Sequence, residues 1–293
     1  MTKVLLFGAT GNLGQEIARE AKLQGYQLTI VVRNEQKATQ LSGITTSYVV
    51  ADVTNPATLD GICNGFDVVI SSLGKSVSPA DNSKPSFHDI DFVANSHILD
   101  QARKSRVAKF VYVSAFHAEQ YQHLTYFKVH HDFSEKLKQS GLNFSIIKPP
   151  AIFSAFKEMI DMANKGRLVN MGSGDKKTNP IYEGDLAKIC VDAIRESNIE
   201  IKAGGKHIYT RKQLLDIIQQ EVAPRHKVRS VPMGVIKTFL PMVKLFNRNM
   251  YDKLAFFTTV MQVDTIAPQL GTLSFESYIR MSAGKALPVG DSA

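Results

Sequence analysis

Val4-Leu-Leu-Phe-Gly8-Ala-Thr-Gly11-Asn-Leu-Gly14 is an apolar run that ends in three glycines spaced three apart. The run predicts a buried strand, and Leu13, Ile17, Ala18 and Ala21 behind it predict an amphipathic helix. Each glycine between such elements has its own task. Gly8 turns the chain out of the strand, Gly11 lets backbone N–H groups approach a diphosphate, and Gly14 lets the helix pack closely. Thr10, Asn12 and Leu13 complete the loop, and the helix N-terminus directs its partial positive charge at the phosphates. A second strand, Leu28-Thr-Ile-Val-Val32, follows at the distance expected of a dinucleotide-binding βαβ unit.

The alternation continues outward from this loop. Strands are predicted at 46–51, 67–71, 109–114 and 143–147, with helices at 35–41, 56–63, 87–105 and 125–140 between them. The polar segment 76–86 reads as a flexible loop. This pattern predicts an α/β protein of the Rossmann type, a doubly wound parallel sheet of strand order 3-2-1-4-5-6, with a ligand crevice at the strand C-termini. Residues 1–150 form the dinucleotide-binding core, to which a helix at 183–197 returns. Residues 151–182 and 198–293 are expected to form a smaller substrate-binding lobe. Thr210-Arg-Lys-Gln213 is a capping box that opens a helix there. The apolar stretch Val231–Phe246, broken by Pro232 and Pro241, is too short to span a bilayer. It reads as a lid or wall over the substrate crevice, with a membrane-surface helix as the alternative.

Composition is that of a globular enzyme, 44% hydrophobic and 21% charged. The net charge of +8 is concentrated late: from Glu200 onward there are 13 Lys+Arg against 7 Asp+Glu. These cations are interrupted by Val, Phe, Met and Pro rather than gathered on one helix face with aromatics, so nucleic acid is not an expected partner. Cys63 and Cys190 lie in apolar patterns and read as buried thiols of a reducing compartment. With no membrane span and no room for a signal peptide before the first strand, the cytoplasm is the expected location. No metal site is expected.

At the end of the second strand stands Val32-Arg33-Asn34, with no carboxylate to accept from a ribose 2′-hydroxyl. An Arg there complements a 2′-phosphate, so the expected cofactor is NADP(H).

The chain resembles the atypical and extended short-chain dehydrogenase/reductases, in their NmrA-like, NAD(P)-binding branch. The resemblance is carried by the glycine loop, Val32-Arg33, Ala51-Asp52-Val53, Asp91-Phe-Val-Ala-Asn95, Phe110-Val-Tyr-Val-Ser114, 140–149 and 179–187. It implies that Asp52 and Val53 flank the adenine and that Ser72, Leu73 and Gly74 lie along the cofactor's ribose side. It further implies that Ser114 and Ala115 approach the nicotinamide ribose, and Pro149 the ring. Active members use a Tyr whose pKa is lowered by a Lys four residues later. Here Tyr126 is followed at that spacing by His130, and Phe116 stands where the usual Ser or Thr would be.

Three readings of that departure stay open. His130 replaces the lysine as the electrostatic partner of Tyr126; or hydride transfer needs only positioning, with a proton from water, His117 or Tyr126; or Tyr126 and His130 are a packing surface. The leading expectation is an NADPH-dependent oxidoreductase acting on a carbonyl or activated double bond of a small, fairly apolar substrate. Phe153, Phe156, Met159, Met233 and Phe239 are candidate pocket lining. The second expectation is an NADP(H)-binding redox sensor that regulates a protein partner. Sugar-nucleotide epimerisation is disfavoured, because it relies on the Tyr–Lys pair.

Overall fold

The computed structural model describes residues 1–286. The chain divides into two units. The first comprises Met1–Ser76, Asn82–Lys148 and Leu186–Ile201; the second comprises Val77–Asp81, Pro149–Asp185 and the residues from Lys202 on.

The first unit is built on strands β1 (Lys3–Phe7), β2 (Gln27–Val32), β3 (Tyr48–Val50), β4 (Val68–Ser71), β5 (Lys109–Val113) and β6 (Asn143–Lys148). All five pairings among them are parallel, in the order β3-β2-β1-β4-β5-β6. This is the doubly wound Rossmann arrangement the alternation predicts, with one addition. Ile199–Lys202 joins as a seventh strand beyond β6. None of its four residues is fully buried, and four residues are the shortest run in which an alternation can register, so its apolar signal is weak. Lys138 and Lys148 both reach Glu200 on this strand and tie it to the sheet.

Helices α1 (Asn12–Leu23), α2 (Glu35–Ala38), α3 (Asn95–Lys104) and α4 (Thr125–Lys138) connect the strands. The predicted helix at 35–41 is shorter than expected. After Ala38 it tightens into a 3₁₀ turn, where the Thr39 hydroxyl donates to the Gln36 carbonyl. The predicted helix at 87–105 is instead two pieces, a π-helical stretch His88–Ala94 followed by α3. Leu5, Phe7, Val69, Ile98, Phe110, Tyr112, Phe133 and Ile146 lock sheet and helices into one core. Cys63 and Cys190 are buried free thiols, and burial pushes each up to about 12.

The second unit carries α5 (Lys157–Asn164), α6 (Glu183–Asp192, whose later residues return to the first unit), α7 (Arg211–Val222), α8 (Met233–Phe246), α9 (Arg248–Val260) and α10 (Phe275–Ser282). Thr210 and Gln213 cap α7 reciprocally, the Gln213 backbone N–H donating to the Thr210 hydroxyl at 3.1 Å and the Thr210 backbone N–H to the Gln213 side-chain Oε1 at 2.7 Å. Phe153 and Phe156 lie in this unit's core, where Phe153 meets the edge of Phe275 at 5.2 Å. Met159 packs against the same core, whereas Phe239 is exposed on α8. Core formation therefore claims two of the three phenylalanines named as candidate pocket lining, Phe153 and Phe156.

The segment 76–86 is more tightly held than its polarity suggests. The buried Lys75 ammonium donates to the carbonyl and hydroxyl of Ser83. The buried Lys253 ammonium on α9 donates to the carbonyls of Ser78, at 2.7 Å, and Asp81, at 2.5 Å. A buried ammonium must gather such acceptors to offset its lost hydration, and hydrophobic periodicity carries no sign of it. Among the described residues no helix is long and apolar enough to cross a membrane.

Candidate functional site

The glycine loop leaves β1 with Gly8 at φ +81°, a left-handed turn that L side chains resist. A Cβ on Gly8 would lie 2.7 Å from the Ser72 carbonyl carbon, so the loop presses directly on the chain leaving β4. Ser72 returns the contact: its backbone N–H and its hydroxyl both donate to the Phe7 carbonyl at 3.1 Å. Gly14 is tighter still, since a Cβ there would lie 2.0 Å from the Gly8 carbonyl oxygen. Gly11 differs. Its φ is −73°, and the nearest atom to an added Cβ is the Gly8 oxygen at 3.4 Å, an ordinary contact. The chain itself therefore does not require glycine at position 11.

Gly11 is the N-cap of α1, and no side chain caps this helix end. A helix begins with N–H groups that have no intrahelical acceptor, and Ser, Thr, Asp or Asn usually supplies one. At α1 that position is left to an exposed glycine, while Leu13 turns inward to the core. Thr10 stays in the loop through its carbonyl, which accepts from Gln15 Nε2 at 3.2 Å. The arrangement is a concave, uncapped donor end suited to a diphosphate.

Arg33 directly follows β2 and is exposed. It lies close enough to Asp52, beyond β3, to act on its carboxylate. Hydrogen bonds from the Thr54 hydroxyl, at 2.7 Å, and the Thr54 N–H, at 2.9 Å, hold that carboxyl below the usual range, and the Arg33 charge adds to them. Val53 packs on the core beside it. Arg33, Asp52 and Val53 thus form one neighbourhood at the ends of β2 and β3.

The ends of β4 and β5 hold a buried polar cluster. Asp91, on the π-helical stretch, is fully enclosed and receives the Lys75 N–H on both carboxyl oxygens at 3.2 and 3.3 Å. Gly74 lies against it, for an added Cβ would be 3.1 Å from Asp91 Oδ1. His130 Nε2 stands 3.5 Å from Asp91 Oδ1, and His130 Nδ1 is 2.7 Å from the Tyr112 hydroxyl. Tyr126 is partly buried, and its ring meets the His130 ring edge to face at 4.7 Å. Burial drives the Asp91 carboxyl well above the carboxylate range, although the Lys75 N–H opposes the shift. Burial also drives the imidazole down to about 3, so it is neutral near pH 7. The Tyr126 phenol is raised, first by burial and then by Asp91.

The structure thus brings Tyr126 and His130 together, as their spacing on α4 requires, but not as a cation beside a phenolate. A neutral ring cannot lower the phenol's pKa, and the shift found runs the other way. Ser114 is buried and turned to α4, its Oγ 3.1 Å from Ser134 Oγ, with Ala115 buried behind it. Leu73 packs partly on the core, and Pro149 directly follows β6 as the first residue of the second unit's middle segment. Phe116 is buried, and His117 beside it adopts a left-handed φ of +63°. Such a backbone in a non-glycine residue concentrates at functional loops. Among the described residues no group of three or more His, Cys, Asp or Glu is placed to hold a metal ion.

Asp91, Tyr112 and Lys75 belong to this cluster although no role for them was read from the sequence. One signal was present: Asp91 falls four residues after Phe87 and seven before Ile98, in register with a buried face. A carboxylate in that register is a buried, perturbed group by construction.

Known proteins resemble this chain in sequence and in fold. The profile of a family described as NAD(P)H-binding matches residues 8–197. The photosystem II assembly factor Ycf39 of Cyanidium caldarium is 32% identical over 292 residues, 98% of this chain and 90% of that protein. Among solved structures, a nucleoside-diphosphate-sugar epimerase from Staphylococcus aureus superposes with TM-score 0.73 at 18% identity, covering 96% of this chain and 100% of that one. An NADPH-dependent quinone oxidoreductase from Escherichia coli, complexed with NADPH, superposes with TM-score 0.69 at 18% identity over 98% and 96%. The fold, the uncapped glycine loop and the profile match lead to one assignment: the chain belongs to the NAD(P)H-binding family.

Proposed function

We propose that the chain is an NADPH-dependent oxidoreductase that reduces a carbonyl or activated double bond of a small, fairly apolar substrate. The observation that carries this reading is the uncapped end of α1 beneath Gly11, a glycine the backbone does not need. In this reading the first N–H groups of α1, those of Asn12, Leu13 and Gly14, receive the diphosphate, and Arg33 receives the 2′-phosphate. Asp52 and Val53 flank the adenine, and Ser72, Leu73 and Gly74 line the ribose side. Ser114, Ala115 and Pro149 belong to the nicotinamide side. Bound NADPH supplies the hydride.

Tyr126 donates the proton that the reduced atom takes up and regains one from water. The phenol is protonated at neutral pH, the state from which a donor starts, and burial and Asp91 make that proton harder to release than in an ordinary tyrosine. His130 is a positioning residue, which holds the Tyr126 ring by edge-to-face contact and is itself oriented by Tyr112 and Asp91. Two buried thiols fit the reducing cytoplasm, where we place the protein.

A specific observation favours a second reading. The usual lysine is replaced by a buried neutral histidine and the usual hydroxyl by Phe116, which suits a cofactor-binding protein that acts on a protein partner. Ycf39 of Cyanidium caldarium carries the name assembly factor, in line with such a role.

One experiment separates the two. Nicotinamide fluorescence measures binding of NADPH and NADH, and NADPH oxidation is followed with quinones and aldehydes, in wild type and Tyr126→Phe. Turnover that drops about a hundredfold in Tyr126→Phe, with NADPH affinity kept, is the result expected of the enzyme. Full turnover in the variant removes Tyr126 as donor. Tight NADPH binding with no turnover on any acceptor favours the regulatory reading.

A further inference from the structure

The polar cluster and the glycine loop leave α8 without a task. Its side chains sort into two stripes. Ile236, Leu240 and Val243 are partly buried on the side that packs with α9. Val235, Phe239, Met242 and Phe246, at spacings of four, three and four, point away from it and are 49%, 55%, 53% and 84% exposed. Leu245, 83% exposed, widens this outer stripe. No residue of α8 is fully buried. The exposed apolar surface is on the order of 500 Å², the size that marks an interaction site on a monomer.

The charge around this stripe says what covers it. Between Pro224 and Tyr251 there are six Lys or Arg and no Asp or Glu. Arg248 pairs with Asp252 at 3.2 Å. Arg225, Lys227, Arg229, Lys237 and Lys244 have no carboxylate partner among the described residues. Lys237 donates to Gln262, and Lys244 lies 5.3 Å over the Tyr251 ring, so both aliphatic stems flank the helix while their charge stays uncompensated. A stretch of chain that carries cations on and just before an aromatic and aliphatic stripe, with no acid among them, complements an apolar layer bounded by anions. A protein groove would normally meet some of these cations with carboxylates drawn from both partners.

We infer that α8 with its basic border is a docking surface for an anionic lipid bilayer, on which the helix lies in the interface plane with Phe239 and Phe246 inserted. Binding of this kind combines buried apolar area with attraction to acidic headgroups, and neither part alone holds a protein firmly.

The test uses the full chain and two sets of vesicles, phosphatidylcholine alone and phosphatidylcholine with about a third phosphatidylglycerol. Co-sedimentation should show a partition coefficient at least about tenfold higher on the anionic vesicles, lost at about 0.5 M salt. The double variant Phe239→Glu/Phe246→Glu should abolish binding while keeping the thermal melt and NADPH affinity of wild type, since both side chains are exposed. Lys237→Gln with Arg229→Gln should erase the anionic preference. Failure of wild type to bind anionic vesicles at low salt overturns the inference, as does binding that the double variant retains. Concentration-dependent dimers in sedimentation equilibrium that the double variant dissolves would also overturn it, assigning the face to a second copy. NADPH titration runs independently, so failure here leaves the oxidoreductase reading untouched.

Discussion

The glycine loop and the Asp91 cluster lie at ends of neighbouring strands of one sheet, yet they are specified in opposite ways. In the loop, backbone geometry dictates residue identity: Gly8 needs a positive φ, and Gly14 has no room for a Cβ. In the cluster, burial decides what each side chain does. Asp91 becomes a poor acid and His130 a neutral base although their sequence neighbours look ordinary. Steric necessity is local and travels with the motif, whereas electrostatic character is collective and exists only once the chain has closed around the group.

The largest effect should come from the steric side. Gly14→Ala sets a methyl 2.0 Å from the Gly8 carbonyl oxygen, so the loop or α1 must move. We expect a loss of roughly 3 kcal/mol or more in chemical denaturation, with NADPH binding lost alongside. A wild-type unfolding midpoint for Gly14→Ala would mean that backbone geometry is not what demands glycine there.

Next comes the electrostatic side. His130 has its pKa depressed to about 3 in the folded protein, against an ordinary value near 6.5. Between those values the unfolded chain binds the proton that the folded chain refuses. Stability from this group is therefore complete above pH 6.5 and drains as the pH falls toward 3, by on the order of a few kcal/mol. Asp91, with a raised pKa, contributes with the opposite sign: its share is present at low pH and falls as the pH climbs through its folded value. His130→Gln keeps a neutral hydrogen-bonding group for Tyr112 and removes the titration. Thermal melts from pH 7 to 4 should fall more steeply for wild type than for the variant. Parallel curves would show that His130 does not stay neutral as described.

The same contrast explains what could be read in advance. The parallel order, the glycine loop and the α7 capping box were legible because strand alternation, turn glycines and Thr210–Gln213 are local signals. The edge strand Ile199–Lys202 was not, because it is short and never fully buried. Tyr126 and His130 were legible as a pair by helical spacing, but the sign of their interaction was not, since it is set first by the burial of both rings, with Asp91, thirty-five residues before Tyr126, adding to the shift of the phenol. The grip of Lys75 and Lys253 on the segment at 76–86 was hidden for a similar reason. It rests on carbonyls, which every residue possesses.

Arg33 sits between the two modes, an exposed side chain whose value depends on what approaches it. Arg33→Ser removes the cation without adding an acid. NADPH affinity should fall about tenfold to a hundredfold while NADH affinity stays within about twofold. Equal losses for both nucleotides would assign Arg33 to the Asp52 neighbourhood instead of the 2′-phosphate.

The smallest effect is the most discriminating. Gly11→Ala places a methyl where only the Gly8 oxygen lies near, at 3.4 Å, and the residue already has a φ of −73° that alanine accepts. Folding should change by about 1 kcal/mol or less, the difference between Gly and Ala at a helix N-cap. If the loop holds a diphosphate, however, that methyl stands on the approach to the α1 N–H groups. NADPH affinity should then weaken about tenfold, with NADH weakened equally because both nucleotides share the diphosphate. Gly14→Ala loses fold and ligand together; Gly11→Ala should lose ligand alone. A Gly11→Ala protein that melts like wild type and binds NADPH like wild type would show that the uncapped end of α1 does not receive the cofactor. The functional reading would then have to start from another part of the chain.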